Sequence, residues 1–214
     1  MNGFADRLLA LPEPIRMGSV FALAKEHLDL TPDEIETLLD SPVRHVRIGA
    51  VSVMDKQARR KRTPAEQRTA LYELYRRRHD RIDDWDLVDL GAPHVVGGYL
   101  STRDRQPLYA LARSTFWPER RTAIVATLFL VRAGEVDDTF ALAEILRTDS
   151  EKFVQTAVGG LLREAGKRDR ARLVAFLDEH SAVLARTTLR FALEHLEPEE
   201  RERYRTRIPR AASQ

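Results

Sequence analysis

Cysteine is absent from this 214-residue chain, which excludes disulfides, thiolate-bound zinc and iron–sulfur clusters. Long apolar runs are absent too. The segment 123–131 is among the longest and is far too short to span a bilayer. At the N-terminus Asp6 and Arg7 precede Leu8-Leu9-Ala10, which lacks the charged-then-apolar order of a secretion signal. A soluble cytoplasmic protein with no membrane partner is expected. A charge excess is also missing, since 35 Lys and Arg face 33 Asp and Glu. A nucleic-acid surface must therefore come from arginines segregated onto one face. No glycine-rich phosphate loop follows a strand, and no Gly-x-Ser-x-Gly turn occurs. The six histidines, His27, His45, His79, His94, His180 and His195, include no pair at metal-ligand spacing on one helix with a carboxylate. No metal, nucleotide cofactor or covalent nucleophile is indicated.

Helical periodicity fills the chain, and strand alternation is nearly missing from it. Helix starts are written in proline. Pro12 and Pro14 open an apolar stripe through Leu28, and Thr31-Pro32-Asp33-Glu34 is a capping box. Ser41-Pro42, Thr63-Pro64, Pro93, Gln106-Pro107 and Pro118 open others. Gly134 closes the helix from Pro118, and further helices start near Asp137, Ser150, Asp169 and Leu184. This is roughly a dozen short helices with brief joints, the grammar of an all-α array. The segments 114–128, 149–162 and 181–193 echo one another at roughly 31–34 residues, a helical-repeat period. The expectation is an all-α, curved α-solenoid of HEAT-like repeats with a concave face, occupying residues 1–208 as one domain before a flexible tail, 209–214.

One stretch, residues 82–93, concentrates a Trp, four carboxylates and a Gly-Ala-Pro stop. On a helix Trp85 and Asp89 stand four apart, on one face. An aromatic plane beside a carboxylate suits a flat cationic ligand and steadies developing positive charge. The plain alternative is that Trp85 is core and that Asp83 or Asp84 caps a helix. Cations gather in or near the second helix of each pair: Arg44, Arg47, Arg120, Arg121, Lys152, Arg163, Arg186 and Arg190. In a solenoid these form a stripe suited to a phosphate backbone. Arg59 to Arg62 and Arg76 to Arg78 sit instead at helix ends, where they complement the helix dipole.

The chain resembles the AlkD family of DNA alkylation repair glycosylases, which are HEAT-like repeat proteins. Four ordered motifs carry the resemblance: Asp84-Trp85-Asp86-Leu87-Val88-Asp89; Arg120-Arg121-Thr122-Ala123-Ile124-Val125; Val154-Gln155-Thr156-Ala157-Val158-Gly159 with Leu162-Arg163-Glu164; and Arg186-Thr187-Thr188-Leu189-Arg190-Phe191-Ala192. The resemblance runs from about Arg16 to about Tyr204. It implies a monomeric, cofactor-free glycosylase acting on double-stranded DNA with alkylated bases. By residue matching, Asp89 is its catalytic carboxylate, Trp85 its first aromatic and Arg121 its phosphate clamp. Arg47, Arg120, Lys152, Gln155, Arg163, Thr187 and Arg190 are then the DNA contacts. Two positions depart from the pattern. Gly160 stands where the family commonly has a second Trp, and Trp117 lies one residue out of the usual spacing before the Arg, across Pro118. A catalytically impaired DNA binder and a protein-binding HEAT scaffold are the alternatives.

Overall fold

The computed structural model describes residues 3–206; the tail expected at 209–214 lies outside them. Among the described residues every regular element is helical. The helices are α1 (Gly3–Leu9), α2 (Met17–Glu26), α3 (Pro32–Leu39), α4 (Arg44–Arg59), α5 (Ala65–Arg77), α6 (Trp85–Gly91), α7 (Gly98–Leu100), α8 (Gln106–Leu111), α9 (Trp117–Arg132), α10 (Asp137–Ile145), α11 (Lys152–Gly166), α12 (Arg170–His180), α13 (Arg186–Ala192) and α14 (Pro198–Arg205). They form two compact units, one up to Arg103 and one from Asp104 onward.

In the first unit α4 is the central helix. It packs against α2, α3 and α6 and buries Val46, Ile48, Ala50, Val51, Val53 and Met54. The capping box read at Thr31 forms: Thr31 Oγ1 accepts from the Glu34 amide and Glu34 Oε2 accepts from the Thr31 amide. The same signal at Thr63-Pro64 gives a helix start without a side-chain cap. Thr63 Oγ1 instead donates to the Gln57 carbonyl at 2.7 Å.

In the second unit α11 packs between α9 and α13. These are the helices of the three echoing segments, so the repeat heard in the sequence is a real stacking. Its joints recur at nearly the same sequence separation. Arg120 reaches Asp149 across 29 residues, Arg121 reaches the Phe153 carbonyl across 32, and Thr188 Oγ1 reaches the Gln155 carbonyl across 33. Gly134 ends α9 at φ 93°, a left-handed conformation that glycine adopts without a Cβ clash.

Two differences from the sequence expectation matter. The segment opened by Pro12 becomes helical only at Met17, and a separate α1 precedes it. Gly91-Ala92-Pro93 does not end the Trp85 helix. The chain continues through a π-helical segment, Ala92–Gly97, straight into α7. Pro93 has no N–H, and in an α-helix its ring would press on the carbonyl four residues back. Widening the turn, with Gly98 N–H donating to the Pro93 carbonyl, accommodates the ring without breaking the rod.

Near the start of the second unit the Tyr109 hydroxyl donates to Asp138 Oδ1 at 2.7 Å, and Arg105 donates to Asp138 Oδ2, also at 2.7 Å. Burial, then the Asp138 carboxylate, push the Tyr109 phenol up to about 12. A pKa raised above the unfolded value near ~10 contributes stability that is complete below ~pH 10 and lost as pH rises towards ~12. Urea midpoints at about pH 9 and about pH 11.5 are the check. Wild type should lose more stability between them than Tyr109→Phe.

Candidate functional site

The site helix α6 starts where Asp84 caps it: Oδ1 accepts from the Trp85 amide at 2.7 Å. Leu87, Val88 and Gly91 face inward and are buried. Trp85 and Asp89, on the opposite face, are exposed. Trp85 is 44% exposed, which removes it from the core and leaves the cap reading true of Asp84 alone. A large aromatic held outward one turn from a carboxylate is the arrangement that a flat cation would use.

The acidic residues around this face are tied to α4. Arg44 donates to Asp86 at 2.6 Å and to Asp84 at 3.4 Å, and Arg47 donates to Asp83 at 3.2 Å. Arg47 Nε is buried with no hydrogen-bond partner among the described residues. Arg44 and Arg47 therefore fix the first turn of α6 with side chains expected to face DNA.

In the second unit several arginines of the anticipated stripe are likewise engaged. Arg120 grips Asp149 with Nε at 2.6 Å and Nη2 at 3.1 Å, and donates to the Ser114 and Thr115 carbonyls. That carboxylate pushes the Arg120 pKa up. Arg163 pairs with Glu164 and Glu194. Gln155 Nε2 donates to the Asp149 carbonyl at 2.9 Å. Arg121 is only 4% exposed, and its guanidinium donates to the Phe153 carbonyl. The Arg120, Gln155 and Arg121 bonds together organise the joint before α11 and its first turn. Of the stripe cations in this unit Lys152, Arg186 and Arg190 are exposed, and Thr187 is half-buried beside Arg186. Arg190 lies over the Phe191 ring, 4.7 Å from its centroid.

One feature escapes a sequence reading. Phe153, 40% exposed, stacks on Trp117 with centroids 5.2 Å apart, and Phe116 next to Trp117 is also exposed. A phenylalanine near a helix start reads as core. The signal against this is register, since Phe153 falls outside the buried stripe Val154, Ala157, Val158, Leu161 and Leu162. Gly160, seven residues on and on the same face as Phe153, has nothing within 4 Å of where a Cβ would sit. Among the described residues no group of three or more His, Asp or Glu side chains is placed to hold a metal, and no helix is long and apolar enough to cross a membrane.

Residues 14–196 match the family described as DNA alkylation repair enzyme. The chain belongs to that family. A solved structure of a predicted DNA alkylation repair enzyme from Enterococcus faecalis has the same fold, with a TM-score of 0.68 at 20% identity, covering 92% of this chain and 96% of that one. No curated protein matches the sequence. The resemblance read from the four motifs therefore holds over most of the chain, and the all-helical fold is that of a DNA alkylation repair enzyme.

Proposed function

We propose that this family member is a monofunctional DNA glycosylase, hydrolysing the N-glycosidic bond of positively charged N3- and N7-alkylpurines in double-stranded DNA. The observation that carries the reading is the exposed pair Trp85 and Asp89 on α6, set on a helix whose other face is locked into the core. Alkylation at N3 or N7 leaves the purine cationic and already a good leaving group. Breaking its bond to the sugar passes through an oxocarbenium-like state. The enzyme need only stabilise that charge and orient a water, and a carboxylate such as Asp89 does both. Trp85 would meet the sugar–base edge. No cofactor enters this chemistry.

Phosphate contacts in this reading fall to the exposed Lys152 and Arg190, while buried Arg121 supports them from beneath by holding the first turn of α11. Log affinity for duplex DNA should fall linearly with log salt by about 0.9 per phosphate neutralised, and Arg190→Ala should flatten the slope by about one unit. Affinity that ignores salt would favour a protein-binding scaffold. The open space at Gly160 supports the alternative of a catalytically impaired DNA binder, because one aromatic wall is missing there. Chromatography of free base released from DNA carrying 7-methylguanine decides between enzyme and binder.

A further inference from the structure

The site helix α6 opens a helical rod that continues to Leu100, and a rod of this length takes its orientation from the helices it packs on, above all from α4. Three ties set its roll. At the front, Arg44 meets Asp86 and Asp84 and Arg47 meets Asp83, each pair with at least one partner well exposed, where ion pairs are weak. In the middle, Gly91 lies so close to its neighbours that a Cβ would sit 2.7 Å from Tyr75 and 2.9 Å from Val51. That contact sets distance, not direction. At the rear, within the π-helical segment, His94 Nδ1 lies 2.8 Å from Asp55 Oδ1. A carboxylate oxygen can only accept, so Nδ1 carries the proton. Asp55 is 3% exposed, which makes this a directional tie whose acceptor is away from solvent. Arg59, one turn along α4, also reaches Asp55 at 3.4 Å.

We propose that Asp55 and His94 form a positioning pair that fixes the roll of α6 and so aims Trp85 and Asp89; this rests on the glycosylase reading of that face. Burying a carboxylate is costly, and well-packed apolar residues serve stability as well or better. What an Asp–His bond adds is direction. The π-helical turn that brings His94 round to α4 lies immediately after the site, where such turns are often found.

Single-turnover release of 7-methylguanine, duplex-DNA affinity and thermal midpoint should be measured for wild type, His94→Phe and His94→Asn. The Phe variant should lose about 10- to 100-fold in rate, as misaimed groups do, with affinity within about twofold. The Asn variant can place an amide N–H where Nδ1–H stood and should recover to within about threefold of wild type. If the Phe variant does not fold, His94→Gln, the same amide on a longer stem, makes the comparison with a polar partner kept for Asp55. A wild-type rate in the Phe variant overturns the proposal, as does an equal loss of rate and affinity that Asn fails to rescue. A second arm needs no activity. The chain has two Trp, so a Trp117→Phe background isolates Trp85 fluorescence. Added His94→Phe should raise Trp85 mobility in anisotropy decays, and His94→Asn should not. If wild type releases no base, the glycosylase reading has failed, and unchanged anisotropy in His94→Phe would then sink the positioning claim on its own.

Discussion

Replacing Asp89 by Asn should slow base release by about 10- to 1000-fold, a barrier increase of ~1.4–4 kcal/mol, while DNA binding holds or tightens slightly. The substitution keeps the size of the side chain, removes its charge and turns one acceptor oxygen into a donor amide. If that charge acts on the oxocarbenium-like state, the loss falls on turnover and not on substrate binding. A carboxylate near phosphates repels them, which is why affinity should not suffer. Exposure of Asp89 makes the experiment clean, because no core packing changes with it. Equal rates for the variant and wild type would remove Asp89 from catalysis.

The second large effect is structural and concerns two adjacent glycines with opposite outcomes. In mid-helix, replacing Gly by Ala is worth roughly 0.5–1 kcal/mol in favour of folding. At Gly160 nothing opposes that gain, so Gly160→Ala should stabilise by about this amount. At Gly159 the added Cβ would lie 2.5 Å from the Thr188 carbonyl oxygen and 2.8 Å from Phe191 Cβ. The first of these is backbone and cannot swing away. The clash should cost about 1–3 kcal/mol or more, outweighing the propensity gain. It would also push α13 from α11 and disturb the Thr188 bond to Gln155. Urea unfolding of the two variants is the check, and equal signs would contradict the packing described. Gly160→Trp, which fills open space beside the Phe153 ring's face of α11, should then be tolerated by the fold and raise excision if the missing aromatic limits the enzyme.

Much of this fold could be read because its signals are local. The capping box at Thr31, the proline starts and the glycine after α9 depend on neighbours in sequence. The repeat period appeared because α9, α11 and α13 solve the same packing problem three times. The shared face of Trp85 and Asp89 followed from their spacing of four, while the outward aim of that face did not. What stayed hidden depends on partners far along the chain. Arg44, Arg47 and Arg120 looked like a phosphate stripe because the carboxylates that engage them lie in other elements, Asp86, Asp83 and Asp149, and Arg163 has Glu194 as a distant partner besides its neighbour Glu164. Arg121 looked accessible because nothing in its own helix announces the Phe153 carbonyl that receives it. Pro93 looked like a stop because proline usually breaks a helix, whereas here the backbone widens around it. His94 drew no attention as a single histidine, since its meaning comes from Asp55, 39 residues earlier.

The most direct test is single-turnover incubation of the protein with duplex DNA holding one 7-methylguanine, following free base and strand integrity together. The account predicts release of 7-methylguanine from the lesion duplex, no base from an undamaged duplex, and a strand left unbroken until the abasic site is cleaved by alkali. Release no faster than that shown by Asp89→Asn, or none above the spontaneous rate, would contradict it.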